Sequence, residues 1–351
     1  MDRFAYKSAA AGSLLLSLAV VGIVFAAGEP TAEELLRARG LDRVGHTWCL
    51  PEEADLRQQL NSLDRFEPRL VAAQQTVDQL VGQNEACKMQ MARFSQLEKQ
   101  ARALSAVAKQ GTADKAQLEA QAKQAAAAVE QWKRQYIPTS EFGLSPPLKT
   151  ALADLINVRT EVTLRLLPIR EEIEQMTQSY AALRRDNNVM AEVASLGRQE
   201  SLGPQKHWRD GAKIFDKLQS IVLSDSLPVV RDGQFYRVTA IVAGRQPLTF
   251  SFMGTGGEPT LIPQNLAEAV GLVIDEHAPR VKLRLAGREE IVRRTKVPQL
   301  RFGRHVLRDV ESYVLPPEAA DLGARISATA FAGLHVQLDA EHLLLNIGGG
   351  K

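Results

Sequence analysis

A run of small residues, Gly254-Thr255-Gly256-Gly257, could form a loop in which backbone groups face a ligand. Glycine-rich loops hold phosphate when a Lys-Ser/Thr pair follows and a helix starts directly after the loop. No such pair follows this run, and the next predicted helix begins only after Pro263. The run therefore does not predict a phosphate site.

Other residue types that commonly carry chemistry show no matching pattern. The six histidines lack metal-ligand spacing, so neither a metal nor another cofactor is predicted. Ser251 and Ser327 lack the Gly-x-Ser-x-Gly turn that presents a hydrolase nucleophile. The net charge of +2 gives no general reason to expect a nucleic-acid partner. Several arginines in the last third of the chain fit a solvated strand face better than a basic patch. They are Arg293, Arg294, Arg301, Arg304 and Arg308.

Strands and a short helix are predicted around the small-residue run. Residues 235–242 and 248–253 alternate apolar and polar side chains, which predicts a β-hairpin leading into the run. Residues 248–253 are the returning strand of this hairpin. A short helix is expected between Pro263 and Gly271, because proline suits the first turn of a helix and glycine suits its end.

This order of elements resembles a retropepsin-like aspartic protease domain of clan AA, over residues 227–347. In that family a hairpin leads into Asp-Thr/Ser-Gly-Ala, and a strand and a short helix follow. Thr255 and Gly256 match this motif. Gly254 stands in the position of the catalytic aspartate, and Gly257 in that of the alanine. The resemblance implies an all-β acid-protease fold for the C-terminal region.

The resemblance also implies the elements that follow. A flap hairpin is expected at 281–292, a strand pair at 297–303 and 306–314, and closing strands within 336–347. Leu322-Gly323 resembles the hydrophobic-Gly pair that braces the active-site loop.

The glycine at position 254 bears directly on activity. Aspartic proteases use two carboxylates that share one proton, and in retropepsins each of two identical chains provides one. Gly254 provides none. Glu258 is expected to point away from the dyad axis, and Asp232 and Asp275 lie in flanking segments. We therefore expect this chain to have no catalytic residue.

A retropepsin-like domain without its aspartate favours a pseudoprotease with a binding or scaffold role. Its remnant cleft would hold a protein or peptide. The cleft residues are Gly254, Thr255, Gly256, Gly257 and Glu258. Two other functions remain open. One is an active aspartic-type endopeptidase that uses other residues or a partner chain with an intact Asp-Thr-Gly, and the other is a purely structural coiled-coil spacer.

Residues 1–28 have the pattern of a signal peptide or a membrane anchor. Arg3 and Lys7 precede an uncharged apolar stretch, and Glu29 follows it. Cleavage after small residues and retention as a membrane helix both remain open. Either outcome places the bulk of the chain outside the cytoplasm, which means the periplasm or cell envelope if the protein is bacterial.

Helices are predicted through the middle of the chain, so the fold class is α + β with several domains. Residues 29–51 predict a short helix-strand motif in which Thr31 starts a capping box. Residues 197–226 predict a linker and a short helix. Between them, residues 52–196 predict a long antiparallel helical hairpin or coiled coil that reverses near Pro146.

Heptad repeats support the helical prediction. The first runs from Leu56 and includes Asn84, a polar seam residue that can fix register. A second four-three repeat runs through 148–194. Pro68 is expected to kink or split the first helix, and Pro168 to kink the second.

Cys49 and Cys87 are expected not to pair with each other. A helix between them would separate them far beyond the roughly 7 Å that a disulfide allows between Cα atoms. Free thiols or a bridge between chains remain, and a homodimer or coiled-coil oligomer is the expected assembly.

Overall fold

The computed structural model describes residues 30–109, 115–135, 144–254, 259–275, 277–285 and 287–349. Residues 1–28, the expected signal peptide or anchor, lie outside these ranges. Within the described ranges, every helix is too short or too polar to cross a membrane. The membrane segment therefore stays a prediction about residues 1–28.

Helices occupy the N-terminal and middle parts of the chain and strands occupy the C-terminal part, as the α + β prediction states. The helices are α1 (Ala32–Ala38), α2 (Glu52–Asn61), α3 (Phe66–Lys109), α4 (Lys115–Gln135), α5 (Pro146–Arg185), α6 (Asn187–Ser195), α7 (Lys206–Val222) and α8 (Gln264–Ala269). The strands are β1 (Asp42–Val44), β2 (Thr47–Cys49), β3 (Ser201–Leu202), β4 (Ser226–Pro228), β5 (Val230–Asp232), β6 (Phe235–Val242), β7 (Gln246–Phe252), β8 (Thr260–Pro263), β9 (Arg280–Leu285), β10 (Arg288–Phe302), β11 (His305–Leu315), β12 (Arg325–Ile326), β13 (Leu334–Asp339) and β14 (Leu344–Gly349). Short 3-10 helices cover Pro317–Leu322 and Ala328–Phe331.

The first described residues form a small module with α6. Thr31 and Glu34 make the predicted capping box at α1, in which each side chain accepts from the backbone N–H of the other residue. Strands β1 and β2 form a hairpin, and β3 pairs parallel to β2. Trp48 is fully buried beside Leu36 of α1 and Val189 of α6. Part of the expected linker thus contributes a strand to this module.

The long helix α3 packs against both α4 and α5. Helix α5 runs antiparallel to it, since Arg69 pairs with Glu161 and the side chain of Asn84 accepts from the backbone N–H of Ser145. Because α4 folds back along α3, the chain reverses direction between α3 and α4. The predicted reversal near Pro146 is therefore wrong. Pro146 instead begins α5, where the missing N–H of a proline costs nothing.

The first heptad repeat is buried within the chain. Leu56, Leu63, Leu70 and Val77 are each at most 5% exposed. They pack against α5, and α7 covers the first three of them. The predicted break at Pro68 is present, because α2 ends before it and Pro68 lies in the first turn of α3. This part of the repeat is satisfied within one chain, so the expected oligomer stays a prediction.

The C-terminal strands form a closed sheet. Its order is β5-β6-β7-β12-β8-β11-β10-β9, and β10 also pairs with β6, which closes the ring. The interior contains an aromatic stack in which the ring of Phe302 lies 6.4 Å from that of Phe250 and 4.9 Å from that of Phe331. All three rings are at most 1% exposed. Strands β13, β14 and β4 form a separate antiparallel sheet.

The predicted flap hairpin is formed by β9 and the start of β10. Strand β10 continues without a break through the next predicted strand and then pairs with β11. The single strand β10, which has 15 residues, therefore contributes both to the flap and to the wall of the closed sheet.

Helix α5 connects the helical and β regions. Ala151, Leu152 and Leu155 belong to the same buried core as β5 and β6. At its start, Lys149 pairs with Asp232 of β5 at 3.1 Å. The same helix continues through Pro168 to pack on α2 and α7.

Candidate active-site loop

Strand β7 carries the chain into the candidate site. Its inward side chains alternate as predicted, and Leu248, Phe250 and Phe252 are each at most 5% exposed. The strand ends at Phe252, and a turn begins at Gly254. Residues 255–258 lie outside the described residues, so the expected binding roles of Thr255, Gly256, Gly257 and Glu258 stay predictions.

A two-residue strand, β12, lies between the strands on either side of this loop. It pairs parallel to β7 and antiparallel to β8. The backbone N–H of Met253 donates to the carbonyl oxygen of Ile326 at 2.9 Å. The backbone N–H of Ala328 donates to the carbonyl oxygen of Gly254 at 2.9 Å. These bonds hold the start of the loop against residues 324–328.

The predicted brace, Leu322-Gly323, lies just before the residues that make these bonds. Leu322 closes the first 3-10 helix, and Gly323 follows it with a φ of 65°. Leu322 packs against the cluster of Leu261 and Leu315, and its carbonyl oxygen accepts from the side chain of Arg325. A bracing role for Leu322-Gly323 stays a prediction, whereas β12 is the element that the sequence reasoning missed. A strand of only two residues has no alternating pattern, so the sequence gives no signal that would predict β12.

The backbone of Gly254 has a φ of 65°. This left-handed conformation costs an ordinary L-residue about 1–2 kcal/mol, and aspartate and asparagine tolerate it better than most. Among the described residues, no atom lies within 4 Å of the place where a Cβ on Gly254 would be. The backbone conformation of this position favours the glycine that is present.

Two acidic residues that flank the loop in sequence are engaged elsewhere. Asp232 pairs with Lys149 and Arg237. The hydrogen bond from Lys149 and the nearby Arg237 charge lower the pKa of Asp232, which keeps it ionised. Asp275 is exposed, and its carboxylate accepts from the backbone N–H of His277 at 2.9 Å. Asp232 is thus held by two cationic side chains, and Asp275 by its own turn.

A cleft of about 320 Å³ lies beneath the flap hairpin. Its walls come from the start of α8, the flap strands β9 and β10, and the end of β11. The lining includes Ile274, Arg280, Ile291, Arg293 and Pro316. The cleft is therefore partly apolar, with two arginines.

No group of three or more His, Cys, Asp or Glu side chains within the described ranges is arranged to hold a metal ion.

Comparison with known proteins assigns the β domain. Residues 238–330 match the model of the aspartyl protease family. The C-terminal domain is retropepsin-like. This match confirms that the C-terminal domain resembles the retropepsin-like family, as its sequence predicts. The matched residues do not include the helices that precede the domain.

A crystal structure of a retropepsin-like aspartic protease from Rickettsia conorii also aligns with the chain. The alignment covers 35% of this chain and 97% of that one, at 13% identity and a TM-score of 0.26. The comparison with curated proteins gave no match.

Proposed function

We propose that this retropepsin-like protein is a non-catalytic binding or scaffold protein of the cell envelope. The proposal rests on Gly254, which stands at the aspartate position when the sequence is aligned with the retropepsin motif and has a left-handed backbone. A homodimer of such chains has no carboxylate at that position on either side. Loss of general acid–base catalysis alone typically costs about 10²–10⁴ in rate.

The flap region offers a surface for an extended peptide. Strand β9 pairs with β10 on one side, and within the described residues no strand pairs with its other side. A free strand edge binds an extended segment through backbone hydrogen bonds, and neighbouring pockets select its side chains. Ile291, 56% exposed, is an apolar contact beside this edge.

The charge of this surface selects the ligand. Arg280, Lys282 and Arg284 are exposed along β9, and Arg293 lines the adjoining cleft. Complementary charge increases association rate and specificity. The proposed ligand is therefore an extended segment that alternates acidic and apolar side chains.

The helices would position this domain. With residues 1–28 as anchor or export signal, α3 and α4 form a long arm and α5 carries the β domain. A homodimer or coiled-coil oligomer would place two clefts side by side.

A peptide-binding assay tests the proposal. A fluorescent octapeptide of alternating glutamate and valine should bind the wild type, and the lysine–valine counterpart should not. Ile291→Asp should weaken binding at least about tenfold, because it places a charge that repels the ligand beside the apolar contact. Val44→Asp is the matched control, since Val44 is 50% exposed on β1 in a different module. Equal binding of both peptides, or no binding, contradicts the proposal.

A protease assay tests the alternative activity. The purified protein should not cleave fluorogenic peptides between pH 3 and 7. Pepstatin-sensitive cleavage that Glu258→Gln abolishes would establish an active peptidase instead. Gly254→Asp would show whether the rest of the site still supports catalysis.

A further inference from the structure

Two arginines from distant parts of the chain line one cavity between the helices and the β domain. The cavity has a volume of about 50 Å³. Arg159 of α5 and Arg301 of β10 both contribute to its wall. Val222 at the end of α7, Leu227 of β4 and Thr239 of β6 complete much of the remaining lining.

Neither arginine has an acidic partner in the described part of the chain. The Arg159 guanidinium donates to the hydroxyl of Ser224 at 2.9 Å and to the carbonyl oxygen of Val222 at 3.4 Å. The Nε of Arg301 is buried, and it has no hydrogen-bond partner among the described residues. Charged groups removed from water are normally paired, because desolvation without compensation is expensive.

The surroundings make the cavity electropositive. Burial lowers the pKa of Arg159 to about 10, without a contribution from any acid. The pKa of Arg301 is also lowered, first by burial and then by the nearby charges of Arg170 and Arg308. A negative charge in the cavity would relieve both the desolvation and the repulsion.

Two backbone segments come close together in the wall of the cavity. Gly303, which also lines it, approaches the carbonyl oxygen of Ser224 so closely that a Cβ there would lie 2.2 Å from that oxygen. The volume is several times the roughly 10–15 Å³ that one water requires. It is well below the roughly 300 Å³ at which small-molecule pockets usually begin. The space inside the cavity therefore suits a small anion.

We propose that this cavity binds a small oxyanion of the phosphate type between Arg159 and Arg301. Guanidinium groups present planar, directional donors that suit the oxygens of phosphate or carboxylate. The bound anion joins α5 to β10 and so stiffens the connection between the helical region and the β domain. This site does not depend on the proposed peptide-binding function, because its lining residues do not include the loop at Gly254.

Calorimetry and thermal unfolding with inorganic phosphate test the site, at constant ionic strength set with sodium chloride. Phosphate at a hundredfold excess over its Kd should raise the Tm by roughly 5 °C. Arg159→Gln and Arg301→Gln should each abolish the response. Arg198→Gln is the matched control, since Arg198 is an exposed arginine beside the N-terminal module, outside the cavity lining, and its variant should still respond.

Sulfate and acetate identify the ligand class. A response to phosphate and sulfate alone establishes a tetrahedral oxyanion, and an equal response to acetate extends the site to carboxylates. Phosphate should also protect Arg159 and Arg301 from phenylglyoxal in the wild type, measured by peptide mass spectrometry, which does not require a folded variant. No response to any of these anions beyond chloride, or an unchanged response in both cavity variants, overturns the proposal.

Discussion

Tyr180 donates its hydroxyl hydrogen bond to the buried carboxylate of Glu53, and this contact joins α5 to α2. The same hydroxyl oxygen accepts from the backbone N–H of Leu50 at 2.9 Å. The other carboxylate oxygen of Glu53 accepts from the backbone N–H of Gln205 at 2.9 Å. One buried acid thus connects the N-terminal module, α5 and the start of α7.

Tyr180→Phe should lower the free energy of unfolding by about 2–3 kcal/mol, because it leaves Glu53 and the Leu50 N–H without this partner in a buried site. Urea unfolding followed by circular dichroism measures the change. Tyr313→Phe is the control: Tyr313 bonds to Glu311 at the surface, and its loss should cost less than about 0.5 kcal/mol. A similar small effect at Tyr180 would show that water or rearrangement satisfies the buried groups.

The thiol of Cys49 should react slowly. Burial, followed by the nearby Glu53 charge, raises the pKa of this thiol to about 11. Since the thiolate is the reactive form, reaction with a disulfide reagent at pH 8 should be roughly 10²-fold slower in the native protein than in urea. The measurement uses a Cys87→Ser background so that one thiol is followed. Rapid native labelling would mean that the module opens readily.

The ion pairs of Asp232 should increase the free energy of unfolding, and this contribution should be lost at low pH. Lys149 and Arg237 lower the pKa of Asp232 below its usual 3.8 in the folded state. The unfolded chain therefore binds more protons in this range, and stability rises with pH there. The contribution is present above about pH 4 and is lost as the pH falls through the folded pKa.

Asp232→Asn should therefore flatten the dependence of the urea midpoint on pH below about pH 4. The groups are partly exposed, so screening limits the change to about 1 kcal/mol or less. Asp154→Asn, at an exposed position on α5, should leave the pH dependence unchanged. An identical acid profile for Asp232→Asn and the wild type would rule out this linkage.

Two glycines with similar backbones should respond differently to alanine. Gly303 has a φ of 54°, and a Cβ there would meet the carbonyl oxygen of Ser224 at 2.2 Å. Gly303→Ala should therefore cost more than about 3 kcal/mol through steric overlap and backbone strain. Gly254→Ala meets no atom of the described residues within 4 Å and should cost only about 1–2 kcal/mol. Equal losses, measured by urea unfolding, would show that the loop at 254 is packed more tightly than its geometry indicates.

Local patterns predicted much of the fold. The capping box of Thr31 and Glu34, the buried heptad positions Leu56 to Val77, and the alternating strand β7 all involve residues within a few positions of one another. Each of these patterns can therefore be recognised without knowing the tertiary structure. The expected flap hairpin is present for the same reason, although β10 extends it into a longer strand.

The reversal of the helices was predicted at the wrong place because a proline such as Pro146 is compatible with either the end or the start of a helix. Pro146 stops a helix from the preceding side but also starts one well. Only the packing of α4 and α5 against α3 distinguishes these two uses.

The sequence alone determined that the domain is retropepsin-like and that position 254 has no carboxylate. The tertiary structure decided that β12 holds the loop at Gly254, that Asp232 is committed to Lys149, and that Arg159 meets Arg301 across one cavity. These contacts join segments that are distant along the chain. The energies of these contacts depend on how deeply the groups are buried and on which groups become neighbours. The spacing of residues along the chain does not specify either one.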